Sequence, residues 1–234
     1  MSLLEETSTS ALMQTFWKNN DSPIGIPIEW ICNGNYDEYI EVVRTLLFGE
    51  NQTLYAGAST FIPDMVKYSY VVTVSTLVVM SLFNALDLLG RIKDRIIIPE
   101  STVIFLKKRV DNQKKTQVVS PGKMITLPDG KFKIIPLDKT IKDTWESILE
   151  VCTYFKICKV SNDEIIGFDI APGISAEMLG SSLKLEKCQI DSYILARREN
   201  AIYISDDLFY RKLADLLQIQ NCNMTGLMFE ENRF

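Results

Sequence analysis

The stretch from Ser69 to Pro99 constrains the fold of this chain more than any other. Tyr70-Val71-Val72-Thr73-Val74 is a dense β-branched run that predicts a strand, and Leu77 to Leu89 carries apolar residues at helical spacing. Arg95-Ile96-Ile97-Ile98, closed by Pro99, predicts a second short buried strand, followed by a helix from Ser101 to about Val110. Strand, helix, strand in that order implies parallel strands joined by a right-handed crossover. The expected class is therefore α/β, a parallel sheet flanked by helices.

The end of the chain repeats that logic. A helix is predicted from about Leu185 to Glu199, a strand over Ala201-Ile202-Tyr203-Ile204, and a helix opened by Ser205-Asp206-Asp207 and running through Leu217. Cys188, Ser192, Leu195 and Ala196 form the inner stripe of the first helix, and Leu208, Leu213, Leu216 and Leu217 that of the second. Between the two regions, Met124-Ile125-Thr126-Leu127 and Phe132-Lys133-Ile134-Ile135 flank Pro128-Asp129-Gly130, which predicts a hairpin inserted over about 116–137. A helix from about Lys139 to Phe155 follows, with Ile141, Trp145, Ile148, Leu149 and Cys152 on one stripe. Upstream, Leu3 to Lys18 and Tyr36 to Phe48 read as helices separated by Pro23 and Pro27. The division expected is an N-terminal helical extension over 1–68 and an α/β domain over 69–234.

Composition removes several functions. A net charge of −5 and a pI near 5.0 argue against a protein that grips duplex DNA by neutralising phosphates. Local basic patches remain, the best of them Lys107-Lys108-Arg109 with Lys114-Lys115, which reads first as a solvated helix face and loop. The chain has no histidine, which excludes Ser-His, Cys-His and His-metal chemistry within it. Five scattered cysteines without a C-x-x-C pair form neither a disulfide framework nor a zinc site. The apolar stretch Tyr70 to Phe83 is interrupted by Thr73, Ser75, Thr76 and Ser81 and falls short of the ~20 residues of a membrane span. With Glu5 and Glu6 where a secretory signal would be basic, a cytoplasmic protein without membrane association is expected.

The remaining chemistry is acidic. Side chains at the carboxyl ends of parallel strands converge on a ligand crevice, and Asp206 and Asp207 fall at such an end. Asp191, among apolar residues of the preceding helix, is placed to face the same crevice, with Thr73 and Ser75 as its other wall. Carboxylates so clustered suit Mg²⁺ or Mn²⁺ and phosphodiester hydrolysis, with Asp191 and Asp206 as ligands and Asp207 beside them. The competing account is simpler, because either Asp206 or Asp207 is also a good helix N-cap and needs no metal.

The segment Asp191-Ser192-Tyr193-Ile194-Leu195-Ala196, followed by Ala201 to Asp207 and Arg211-Lys212-Leu213-Ala214, resembles the C-terminal half of PIN-like domains. In particular it resembles those found in bacteria alongside tetratricopeptide repeats and a Gre-factor C-terminal-like module. Tyr70 to Leu77 with Ile96-Ile97-Ile98-Pro99-Glu100-Ser101 is similar to the first two strands of the same fold, so the likeness covers about Ser69 to Leu217. It implies a metal-dependent ribonuclease site of about four acids, with the helix acid on Asp191 and the strand-end acids on Asp206 and Asp207. The other two places depart from the pattern: the first-strand aspartate falls on Thr73 and the helix glutamate near Phe105. Glu100 or Asp87 would have to compensate, and Glu100 lies more than a helical turn from the expected place.

Half of the carboxylate charge is thus missing, and the expectation is a degenerate PIN-like module that binds RNA or a protein with little or no cleavage. The alternatives are an active Mg²⁺- or Mn²⁺-dependent ribonuclease, a toxin or defence effector using Asp191 and Asp206, and a scaffold that docks a protein or a second copy through its N-terminal helices.

Overall fold

In a computed structural model, residues 40, 43, 68–119, 122–126, 132–136, 139–171, 174–175 and 185–224 are described, with side chains for 40, 43, 68–115, 144–168 and 185–224. The first crossover runs β1 (Tyr70–Val72), α1 (Val74–Leu82), α2 (Leu86–Arg91), a 3-10 turn (Lys93–Arg95) and β2 (Ile96–Pro99). Next come α3 (Glu100–Val119), a hairpin of β3 (Gly122–Thr126) and β4 (Phe132–Pro136), α4 (Lys139–Cys152) and β5 (Lys156–Cys158). The chain then passes through α5 (Asn162–Ile166), β6 (Asp169–Ala171), β7 (Ile174–Ser175) and α6 (Lys187–Arg198) to β8 (Ile202–Ile204), α7 (Leu208–Leu216) and β9 (Asn221–Cys222).

Five strands form one sheet in the order β5-β2-β1-β8-β9, and every pairing in it is parallel. The alternation of side chains along each strand sorts them onto two faces. Tyr70, Val72, Ile96, Ile98, Ile202 and Ile204 enter one core with α1 and α4, where Leu77, Trp145, Ile148 and Cys152 are buried. Val71, Ile97 and Tyr203 enter the other with α6 and α7, where Tyr193, Ile194, Phe209 and Leu213 are buried. The rings of Tyr193 and Tyr203 stack with centroids 4.6 Å apart, fixing α6 on the sheet. Because both faces are covered, the three central strands β2, β1 and β8 are buried throughout and carry no polar alternation.

The expected fold is the observed one, with local differences. The first strand stops at Val72, and Val74 instead opens α1, with Thr73 at the N-cap position. The helix predicted from Leu77 to Leu89 is two helices, parted where Asn84 takes a left-handed φ of 52°, a conformation asparagine tolerates well. The helix after Pro99 runs to Val119 rather than Val110, since Asp111 to Val119 contains neither glycine nor proline. The hairpin is antiparallel and forms its own two-stranded sheet. Of the helix predicted over Tyr36 to Phe48, Ile40 and Val43 are helical and buried in the α1/α4 core; the helix predicted over Leu3 to Lys18 lies outside the described residues.

α5 is held by a capping box: Ser161 Oγ accepts the Glu164 N–H, and the Glu164 carboxylate accepts the Ser161 N–H at 2.8 Å. Arg198 of α6 adds a 2.7 Å ion pair. The Ser161 backbone N–H, then Arg198, then the Ser161 hydroxyl hold the Glu164 carboxyl at about 2 instead of its ordinary 4.5. This contribution is fully present above pH 4.5 and is lost as pH falls toward about 2, so thermal unfolding followed across that window should show a slope that Glu164→Gln removes. Ser161→Ala should cost about 1 kcal/mol in the same assay.

Candidate functional site

The strand order reverses direction at β1. From β1 the chain builds outward through β2 and β5, then returns to lay β8 and β9 on the other side. In open α/β sheets a ligand crevice forms at the carboxyl ends of the strands flanking such a reversal, here β1 and β8. Hydroxyls close it. Thr73 Oγ1 lies 2.9 Å from Ser75 Oγ, Ser75 Oγ lies 3.0 Å from Ser205 Oγ, and the Thr73 N–H donates to the Ile204 carbonyl at 3.1 Å. All three hydroxyl residues are buried. Thr73 and Ser75 are thus at hydrogen-bond distance from each other, and Ser75 from Ser205.

Asp206 and Asp207 follow directly. Asp207 caps α7, its Oδ1 accepting the Phe209 N–H at 2.8 Å. Asp206 is 3% exposed, and its Oδ1 accepts the Met224 N–H at 3.0 Å, so the segment after β9 lies over it. The nearby Thr76 hydroxyl gives its hydrogen bond to the Ile204 carbonyl at 3.3 Å, and Asp206 Oδ2 is left with no partner at hydrogen-bond distance. Burial raises the Asp206 pKa, against the opposing effects of the Met224 N–H, the Arg211 guanidinium and Thr76. Arg211 is itself buried and donates to the Ser205 and Asp206 carbonyls at 2.9 and 3.4 Å. Burial likewise pushes the neighbouring Cys222 thiol up to about 12.

Asp191 has different company. Its Oδ2 accepts the Ser101 hydroxyl, and Lys187, one turn earlier on α6, places Nζ 2.9 Å from both carboxylate oxygens. The carboxylate side chain is 3% exposed and the lysine side chain 54%. Asp191 lies in a cleft of about 320 Å³ formed by the start of α3, the β5–α5 connection and the start of α6. The cleft presents Lys108, Arg109, Lys159 and Lys187, with Glu100 and Glu186 also on its walls and Ile104, Phe105 and Val160 as apolar surface. Arg109 stands over the Phe105 ring at 5.0 Å, and Phe105 meets Trp145 edge-on at 6.3 Å, so the guanidinium rests on a braced aromatic. None of Thr73, Ser75, Asp206 and Asp207 lines this cleft.

Sequence reasoning missed Lys187, Lys159, Ser101 and Ser205 as site residues. Lys187 and Asp191 at i, i+4 on a predicted helix were a readable signal, whereas Lys159 and Ser205 matter only through the winding of the sheet. Two of the five residues of the basic run, Lys108 and Arg109, turn out to line the cleft, while Lys114 instead pairs with Glu146 at 3.2 Å.

A five-stranded, all-parallel sheet flanked by helices is the architecture of a PIN-like α/β fold. Residues 71–216 match the family described as the PIN domain associated with the TPR-GreAB-C-PIN system, and the chain belongs to that family. No curated protein and no solved structure matches it. No described helix is long and apolar enough to cross a membrane.

PIN domains generally use divalent metals, and the donor set described here does not suit one. Among the described residues no three His, Cys, Asp or Glu gather as a metal-holding group. Both oxygens of Asp191 face an ammonium, and Asp206 is turned into the protein onto a backbone N–H. Of the acids that would have to compensate, Glu100 borders the cleft with Asp191, and Asp87 is exposed on α2.

Proposed function

We propose that this PIN domain binds single-stranded RNA in the cleft between α3, β5 and α6 and does not cut it. The observation that carries the reading is that Asp191 has both oxygens engaged by Lys187 and Ser101, while Asp206 accepts the Met224 N–H at Oδ1 and keeps Oδ2 buried inside the protein. A cation held against phosphate needs carboxylate charge free to reach it. A metal-dependent ribonuclease would need a third carboxylate beside Asp191 and Asp206, and no described residue supplies it.

RNA is favoured as the occupant by the makeup of the cleft. Lysines from separate walls can meet phosphates, and a guanidinium plane seated on Phe105 offers a stacking surface of the kind unpaired bases use. The acidic chain as a whole gives no long positive track for a duplex. A protein or second copy docked on the N-terminal helices is a separate reading; of those helices only Ile40 and Val43 are among the described residues, and both are buried in the α1/α4 core.

The test pairs binding with cleavage. Fluorescence anisotropy with labelled single-stranded RNA should show association that weakens with salt, its logarithmic slope near −0.7 per phosphate contact. The same RNA incubated with Mg²⁺ or Mn²⁺ should stay intact. Divalent-dependent cleavage abolished by Asp206→Asn, or no association at low salt, would overturn the reading.

A further inference from the structure

We infer that Lys187 is the built-in cation of this cleft, so that a phosphate-bearing strand is held there without a divalent ion; the inference rests on the RNA-binding reading. A carboxylate at the base of a cleft repels phosphate unless a positive charge stands with it. In a metal-dependent site the divalent ion supplies that charge. Here the Lys187 ammonium supplies it, 2.9 Å from each oxygen of Asp191, and the Ser101 hydroxyl completes the carboxylate's partners.

The ammonium is not used up by this pairing. It carries three donors, of which the carboxylate takes at most two, and the half-exposed side chain leaves the third open to a phosphate oxygen. Lys108 and Lys159 face the same volume and have no ion-pair partner among the described residues. Glu100 and Glu186 border the cleft as well and work against an anion, which gives the inference a sign that can be checked. Removing charge from Glu186 should tighten RNA binding, whereas removing it from Lys187 should weaken it.

The experiment measures RNA affinity of the full chain in EDTA and in Mg²⁺ at matched ionic strength. Affinity should be no tighter with Mg²⁺. Lys187→Met strands the Asp191 carboxylate and risks the fold, so the neutral pair Lys187→Met/Asp191→Asn is measured beside it, with circular dichroism to establish folding. The pair should bind RNA about tenfold more weakly than the parent, Lys187→Arg should keep most of the affinity, and Glu186→Gln should increase it. Titration of the parent with Mn²⁺ alone, followed by calorimetry or by the metal's paramagnetic signal, should show no stoichiometric site.

RNA binding that requires Mg²⁺, stoichiometric Mn²⁺ uptake by the parent, or unchanged affinity in the folded double variant would each overturn the inference while leaving RNA binding in place. Absence of RNA binding in every condition would instead defeat the underlying reading, and the Mn²⁺ titration would still decide whether Lys187 occupies the cation's place.

Discussion

Trp145→Ala is expected to lower the free energy of unfolding by about 3–5 kcal/mol and to weaken RNA binding as well. Trp145 is 2% exposed on α4, in the core it shares with Val72, Ile98 and Leu77. Its indole meets Phe105 edge-on, and Phe105 carries Arg109 over its face, so one ring joins the interior to the cleft wall. Truncation leaves a void that the surrounding strands and helices close only in part. It also frees Phe105 to turn, and the guanidinium then loses the support that fixes its direction. Urea denaturation reads the first effect as a lowered midpoint with an unchanged slope, and anisotropy at a temperature where the variant stays folded reads the second. Trp145→Phe should recover most of both; equal loss in the two variants would mean that the indole N–H, not ring packing, holds this corner.

The second large effect separates two substitutions at one position. Asp206→Ala strips the Met224 N–H of its acceptor inside the protein and should cost about 1–3 kcal/mol. Asp206→Asn keeps an acceptor for that N–H and removes the charge, and should be at least as stable as the parent at neutral pH. Burial raises the folded-state pKa of Asp206 above its ordinary 3.8. The folded chain therefore holds this proton more tightly than the unfolded one. Its contribution is favourable at acid pH and is progressively lost as pH rises from about 3.8 through the folded-state value. The asparagine variant should flatten that part of the stability profile, while Arg211 keeps its carbonyl partners at Ser205 and Asp206. An asparagine variant clearly less stable than the parent at neutral pH would show that the ionised carboxylate, not its oxygen as an acceptor, is what the fold needs.

How far the sequence could be read depended on the range of the interaction involved. β1, β2 and β8 were legible because burial on both faces demands continuous β-branched and aromatic runs, and Tyr70-Val71-Val72, Ile96-Ile97-Ile98 and Ile202-Tyr203-Ile204 have no other use. β5 was not, because an edge strand reading Lys156-Ile157-Cys158 with its first two residues exposed carries no apolar run at all. β9, two residues long, offers no period to detect. The family was legible in the stretch from Asp191 to Ala214, where local pattern and site residues coincide. The surroundings of the acids were not, because they come from distant segments. Ser101 reaches Asp191 across 90 positions, and Met224 reaches back to Asp206 after the chain has added another strand. The lysine one turn before Asp191 was the exception, since its pairing is set by helix geometry alone.

The placement of β1 in the middle of the sheet also bears on how the chain acquires its shape. Its partner on one flank, β2, is translated soon after it, but the hydrogen bond between Ser75 and Ser205 on the other flank spans 130 positions. A nascent chain that has completed β2 therefore exposes the unpaired backbone edge of Tyr70-Val71-Val72 until β8 emerges. Such an edge is an invitation to foreign strands, and the slowest, most aggregation-sensitive moment of biogenesis should be the wait for residues 202–204.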